Sequence, residues 1–126
     1  MTAPPVDPPD APVAVDESIV AGAGDVSLFR RTWTPSGPHA PAVRGVVVIV
    51  HGLGEHSGRY DHVARRFVAA GFAVWALDHR GHGRSGGRRV RLEAFDDFEA
   101  DLEQLRCDAV AAHPDVPCID RKSTRL

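Results

Sequence analysis

Five consecutive aliphatic residues, Val46–Val50, form the clearest hydrophobic pattern in the chain. The run is too short for a globular helix and lacks polar alternation, so it predicts a strand buried on both faces, as in parallel sheets. It ends in the glycine-rich turn 51–54, and a helix is expected to begin near Arg59. This order places backbone amides at the carboxyl end of a strand, where open α/β sheets bind ligands.

Weaker patterns precede this strand. Glu17–Val20 and Val26–Trp33 predict two strands of an antiparallel hairpin around the turn at 21–25. Residues 1–15 contain five prolines after Met1 and almost no large apolar groups. Because such a segment buries too little surface to offset its ordering entropy, it is predicted to be a disordered tail.

Apolar residues at helical spacing predict two helices after the turn. The first has an apolar face and ends at Gly71, and a strand at 72–77 follows it and ends at Asp78. Strand, helix and strand would form one right-handed crossover. The second helix ends before Pro114, and a further buried strand is predicted at 116–119. The two apolar faces consist of Tyr60, Val63, Ala64, Phe67 and Val68, and of Phe95, Phe98, Leu102, Leu105 and Ala109.

The glycine-rich turn fits two chemistries. Dinucleotide-binding folds use G-x-G-x-x-G so that a pyrophosphate reaches a helix N-terminus. The glycines here are Gly52, Gly54 and Gly58, so the third comes one position late. Asp78, at the end of the next strand, imitates the carboxylate that binds the ribose. A nucleotide-binding oxidoreductase domain is therefore an alternative.

Acyl-transfer hydrolases use the same kind of turn to supply one amide of an oxyanion hole. The glycines on either side leave an unhindered N–H on the residue between them, which here is Leu53. Only the main chain of this residue would take part. A plain connection between strand and helix is the third alternative on these residues alone.

Two longer motifs carry a resemblance to a known family. The string from His51 to Tyr60 reads HGLGEHSGRY, and the segment 76–87 reads ALDHRGHGRSGG. Together they resemble the monoacylglycerol lipase and lysophospholipase group of the α/β-hydrolase superfamily, over residues 45–119. The resemblance implies an α/β fold with an antiparallel hairpin followed by parallel strands with flanking helices. Such a fold usually needs more than twice 126 residues, so an incomplete N-terminal half is expected.

The resemblance also implies roles for individual residues. The backbone N–H of Leu53 would be the oxyanion donor. Glu55 and Arg59 match positions near the polar end of the acyl pocket, where they would hold the loop by charge pairing or meet a glycerol head group. The residues that shape the two loops would be His51, Gly52, Gly54, Asp78 and Arg80.

Ser85 lies in a G-x-S-x-G match, residues 83–87, but its context argues against a nucleophile. A nucleophile turn needs a strand that enters directly and a helix that leaves directly, whereas the predicted strand ends at Asp78. In the resembled family this segment is a loop, and the serine, acid and histidine of the triad come later in the chain. The triad is therefore expected beyond Ile119. The parent protein would hydrolyse monoacylglycerol or a related ester through an acyl-enzyme, and this fragment would be inactive.

The last seven residues, 120–126, are polar where the resembled fold requires an apolar strand. They contain the only lysine, Lys122, and resemble the translation of a sequencing adapter. We therefore expect a non-native tail at 120–126 after a hydrolase segment at 16–119. The strand at 116–119 would then be unfinished and Val46–Val50 would keep an open apolar edge, which predicts an insoluble or partly unfolded product.

Composition and residue spacing narrow the remaining classes of function. A formal net charge of -2 offers no electrostatic footprint for nucleic acid. The histidines lack zinc-site spacing, so neither metal nor cofactor is expected. Two cysteines and no signal pattern indicate a reduced, cytoplasmic protein. The expected partner is a small lipid ester, with membrane contact only through a lid missing from this chain. A short non-enzymatic homologue remains an alternative.

Overall fold

The computed structural model of the protein describes residues 12–22, 26–50, 60–78 and 95–122, except for the side chains of 95–98 and 121–122. Within these ranges the chain forms five strands and two helices. In chain order they are β1 (Val13–Ala21), β2 (Ser27–Pro35), β3 (Val46–Val50), α1 (Asp61–Ala69), β4 (Ala73–Leu77), α2 (Phe95–Ala112) and β5 (Cys118–Lys122).

The strands form one mixed sheet in the order β1-β2-β4-β3-β5. The hairpin of β1 and β2 is antiparallel and joins β4 in antiparallel orientation. The strand β3 lies parallel to β4 on one side and to β5 on the other. The predicted architecture, an antiparallel hairpin followed by parallel strands with flanking helices, is therefore confirmed.

The helices α1 and α2 cover opposite faces of the sheet. Alternate residues of β3 and β4 point to opposite faces because the side-chain period of a strand is two. The apolar cluster on the α2 side contains Leu28, Val46, Val48, Ala73, Trp75 and Leu77 from the sheet, with Leu105 and Ala109 from the helix. The apolar cluster on the α1 side contains Trp33, Val47, Ile49, Val74 and Ala76 from the sheet, with Ala64 and Val68 from the helix. A strand covered on both faces has no position for a polar side chain, which explains the unbroken aliphatic run.

Gly71 ends α1, as its position after the apolar face predicts. Its φ is +97°, in the left-handed region that favours glycine, and its N–H donates to the carbonyl of Val68 at 2.9 Å. The Gly71 carbonyl in turn accepts from the Arg44 N–H at 2.9 Å. The helix is thus stopped and linked to the segment that leads into β3.

Gly45 lies where two segments come very close together. A Cβ atom at this position would stand 2.8 Å from the ring of Phe72, closer than real Cβ contacts allow. The Gly45 carbonyl accepts from the Ala73 N–H at 3.0 Å, and the next N–H, of Val46, donates to the Pro117 carbonyl at 2.9 Å. The starts of β4 and β5 are therefore both fastened to the start of β3.

The starts of β1 and α1 are shifted from the sequence prediction. The strand β1 begins at Val13, where it pairs with Pro35, so residues 13–15 belong to the sheet and not to the predicted tail. The helix α1 begins at Asp61, after a single 3-10 residue at Tyr60, two positions after the predicted start at Arg59.

The prediction of an open edge on β3 is wrong. The strand β5 starts two residues later than predicted and runs to Lys122, pairing with all of β3 from Val46 to Val50. Residues 120–122, which the sequence analysis excluded from the fold, are part of this strand. Main-chain pairing does not require apolar side chains, and the Asp120 carboxylate bonds to the Arg106 guanidinium on α2. The argument for insolubility from an unpaired β3 therefore fails.

Candidate active site

Three parallel strands end at one edge of the sheet. In the register, Ile49 lies opposite Ala76, and Val50 lies opposite Lys122. The carboxyl ends of β3, β4 and β5 are therefore level with one another. Residues 51–59 and 79–94 follow β3 and β4 from neighbouring positions at this edge, which is where open α/β sheets hold their ligands.

Most of the predicted site residues lie outside the described part of the chain. Asp78 is the exception: it directly follows β4, is only 2% exposed, and its N–H donates to the carbonyl of Phe29 at 2.9 Å. The strand β4 is thus held to β2 up to the start of the second predicted loop. Among the residues that the sequence analysis singled out, those outside the described ranges are His51, Gly52, Leu53, Gly54, Glu55, Arg59, Arg80 and Ser85.

Asp61 lies at the first position of α1, and its carboxylate bonds both to β2 and to the next turn of α1 itself. Its Oδ1 accepts a hydrogen bond from the indole Nε1–H of Trp33 on β2 at 2.9 Å. Its Oδ2 accepts from Nε of Arg65, one helical turn later, at 2.8 Å. Partial burial alone would raise the pKa of the carboxyl, but the Trp33 and Arg65 bonds and the nearby charge of Arg31 together lower it below its ordinary value.

Arg31 lies beside this pair. Its guanidinium carbon is 5.2 Å from the centre of the Phe29 ring and 5.9 Å from the centre of the Trp33 ring. Its NH2 group forms a 3.0 Å ion pair with Glu17 on β1. A single cation therefore covers two aromatic rings on the α1 side of the hairpin. Its positive charge also helps to lower the pKa of Asp61.

The sequence analysis did not single out Trp33 or Asp61. Two signals were available in principle. A tryptophan buried in a strand needs an acceptor for its indole N–H, and an acidic residue in the first turn of a helix is favourably placed for such a role. The pairing of the two could not be found from sequence, because they are separated by 28 positions and belong to different elements.

The opposite face of the sheet contains a cavity of about 270 Å³ between the β1–β2 hairpin and α2. Its polar wall includes Arg30, whose NH1 group pairs with the Asp108 carboxylate at 3.2 Å. No cluster of metal-binding side chains occurs within the described ranges. His62 on α1 is exposed. None of the described helices is both long and apolar enough to cross a membrane.

Comparison with known proteins identifies the family. A family profile described as Serine aminopeptidase, S33 matches residues 41–119, well over half of the chain. The chain belongs to this family. Its monoacylglycerol lipase-like character is supported by the monoacylglycerol lipase of Mycolicibacterium smegmatis, which is 50% identical over 103 residues, 82% of this chain and 35% of that protein. The chain is accordingly a monoacylglycerol lipase-like member of the α/β-hydrolase superfamily.

Other relatives agree with this assignment. The monoglyceride lipase of Mus musculus is 39% identical over 71% of this chain and 28% of that protein. A solved lipase structure in an open form is 30% identical, with a TM-score of 0.74, over 86% of this chain and 36% of that one. The S33-family chain thus spans about a third of the length of these relatives. These similarities favour the hydrolase over the dinucleotide-binding alternative.

Proposed function

We propose that this chain is the N-terminal part of a serine hydrolase that cleaves a monoacylglycerol or a related carboxylic ester. The observation that carries the proposal is the level ending of β3, β4 and β5 at one sheet edge in a chain 50% identical to a monoacylglycerol lipase. In the proposed reaction a serine attacks the ester carbonyl, forms an acyl-enzyme and releases the alcohol, and water then releases the fatty acid.

Leu53 would contribute to this reaction through its main chain. As the carbonyl carbon becomes tetrahedral its oxygen gains negative charge, and the Leu53 N–H would donate a hydrogen bond to it. Gly52 and Gly54 would leave that N–H accessible, and His51 would hold the turn by hydrogen bonds. Asp78 and Arg80 would shape the neighbouring loop after β4.

The remaining parts of the site would come from other residues. Glu55 and Arg59 would hold the first loop by charge pairing, or else meet the polar head of the substrate. The serine, acid and histidine would lie beyond this chain, together with a lid over the acyl pocket and any contact with a membrane surface. The chain of 126 residues alone would then be inactive. The free thiols of Cys107 and Cys118 support a reducing, cytoplasmic location as part of the same proposal.

The first test is to sequence the complete reading frame from the source DNA and to assay its product. A buried strand followed by G-x-S-x-G downstream of Ile119 is expected. The product should hydrolyse monoacylglycerol in a fatty-acid release assay and should react with a fluorophosphonate probe, whereas residues 1–126 should do neither. A stop codon after Leu126 in the source DNA would contradict the proposal, as would quenching of tryptophan fluorescence by NAD without any ester hydrolysis.

The second test concerns the oxyanion donor. Leu53→Pro removes the N–H, while Leu53→Ala keeps it and changes only the side chain. We expect kcat to fall about 10²- to 10³-fold in the proline variant, because one oxyanion donor contributes about that much, and to change little in the alanine variant. Circular dichroism melts would show that both variants are folded at the assay temperature. Equal kcat values for the two folded variants would exclude Leu53 as the donor.

A further inference from the structure

We propose that Asp61 is a positioning residue that fixes the start of α1 to β2 and thereby holds the connection 51–60 in place. This inference rests on the proposed function, because that function assigns the oxyanion donor to Leu53 within this connection. Asp61 would act through the backbone that precedes it and would not touch the substrate. Its partner in this role is Trp33.

The anchor on the sheet side is rigid. Trp33 is 0% exposed, and its strand is paired on both sides, with Val15 of β1 opposite it on one side and Val74 of β4 on the other. A buried indole N–H must find an acceptor, and this one finds a carboxylate at 2.9 Å. A hydrogen bond to a charged acceptor is among the stronger bonds in proteins. Asp61 is therefore tied to a part of the fold that has little freedom to move.

The bond does not serve to cap the helix. The residue at the N-cap position is Tyr60, and its side chain makes no capping hydrogen bond. Asp61 instead divides its two oxygens between the sheet, through Trp33, and the next turn of the helix, through Arg65. One carboxylate thus fixes the first turn of α1 relative to β2.

The apolar contacts of α1 are less suited to this task. The fully buried residues of the helix are Ala64 and Val68, in its middle and last turns, whereas Tyr60 and Val63 at its start are only partly buried against the same cluster. Partly buried apolar contacts have no preferred direction, so they constrain the orientation of the first turn less than a directional hydrogen bond does. The connection 51–60 is bounded by Val50, whose strand is paired on both sides, and by Asp61. If the bond between Asp61 and Trp33 is lost, the connection is fixed firmly at its Val50 end only.

Hydrogen exchange tests the positioning role without any reference to catalysis. Trp33→Phe keeps an aromatic ring in the core but removes the N–H donor together with part of the buried indole ring. Val47→Ala is the matched control, because Val47 is 2% exposed in the same apolar cluster, makes no bond to Asp61 and lies outside the two peptides that are compared. Amide exchange would be measured by mass spectrometry in peptides covering 51–60 and 73–78.

In Trp33→Phe we expect exchange in 51–60 to rise about tenfold or more relative to 73–78, since a hydrogen bond to a charged group can change a local opening constant by that factor. In Val47→Ala the two peptides should change together. If the two peptides change together in Trp33→Phe as well, or if neither changes, Asp61 does not position the connection.

Kinetics of the complete protein provide the second readout. Trp33→Phe should lower kcat about 10- to 100-fold with little change in KM, because small displacements of a reacting group have effects of this size. Rates would be normalised to the sites titrated by a fluorophosphonate. Asp61→Asn keeps an oxygen acceptor for the indole and should retain most of the activity, whereas Asp61→Ala should match Trp33→Phe.

The two proposals fail in different ways. If the unaltered complete protein neither hydrolyses monoacylglycerol nor reacts with the probe, the proposed function is wrong, and the exchange experiment alone judges the positioning role. If the unaltered protein is active and Trp33→Phe keeps its full kcat per titrated site, the positioning role is wrong and the proposed function stands.

Discussion

Replacement of Leu105 by alanine should test the packing of α2 on the sheet. Leu105 is 2% exposed and belongs to the apolar cluster that joins this helix to β3 and β4. Val110 lies on the same helix but is 44% exposed, so Val110→Ala is the matched control. The comparison separates loss of core packing from any general effect of alanine in this helix.

The expected magnitude follows from the amount of side chain removed. Leucine to alanine removes about three carbon groups, which at about 0.8 kcal/mol each is a transfer loss of about 2.4 kcal/mol. A cavity term adds to this loss, but Leu105 already lines the cavity beside α2 and so has fewer neighbours to lose. We therefore expect the free energy of unfolding to fall by about 3 kcal/mol, toward the lower end of such substitutions. Val110→Ala should change it by less than about 0.5 kcal/mol.

Urea unfolding followed by circular dichroism measures both variants. With a slope of about 2 kcal/mol per molar urea, Leu105→Ala should lower the unfolding midpoint by about 1.5 M. The slope itself should stay constant if the variant unfolds from the same native state. Equal midpoint shifts for Leu105→Ala and Val110→Ala would refute the packing of α2 described above.

Three further predictions concern single residues. Gly71→Ala should lower the free energy of unfolding by about 1 to 2 kcal/mol because its φ of +97° strains an L-residue, and Gly71→Asn should cost less in the same urea titration; equal costs would contradict the left-handed cap. Asp61 has a lowered pKa in the folded chain, so its carboxylate stabilises the fold above its unfolded pKa of about 3.9, and this contribution is lost as the pH falls through the folded pKa. The difference in unfolding free energy between the unaltered chain and Asp61→Asn should therefore shrink below about pH 4. A difference that grows on acidification would exclude this pairing. Burial and the nearby Asp120 carboxylate raise the pKa of the Cys118 thiol. An aromatic disulfide reagent at mildly alkaline pH should therefore react with exposed Cys107 before Cys118, which peptide mass spectrometry would show. Asp120→Asn should make the reaction of Cys118 faster.

The central part of the fold was predictable because its patterns are unambiguous. The run Val46–Val50 has no polar residue, and a strand covered by helices on both faces requires none. The apolar face that includes Ala64 and Val68 fits only a helix, and Gly71 marks its end. These three features were enough to predict the strand, helix and strand that lead to the candidate site.

The strand β5 was placed incorrectly for a physical reason. Sequence reasoning looked for an apolar strand and stopped before Asp120, whereas strand pairing is made by the backbone. Whether a polar residue can lie in such a strand depends on what its side chain meets. Here Arg106 on α2 meets Asp120, and nothing in the sequence between them indicates this contact.

The candidate site was only partly open to sequence reasoning. Motifs indicate which residues follow β3 and β4, because the chain itself carries that order. The bond between Trp33 and Asp61 depends on how β2 lies against the first turn of α1. Contacts of this kind arise from the assembled sheet, and a local pattern of residue types does not contain them.

The close approach at Gly45 has a consequence for how the sheet finds its alignment. The side chains of β3 are so alike that a slip by one position would exchange valine and isoleucine between the two faces at little energetic penalty. The strand itself therefore carries almost no information about its own alignment. The alignment is instead set just before the strand, at Gly45, where the Phe72 ring leaves no room for a side chain. There the backbone of Gly45 and Val46 forms hydrogen bonds with Ala73 and Pro117. A bulkier residue at position 45 would be expected to produce misaligned sheets even though every core residue is unchanged.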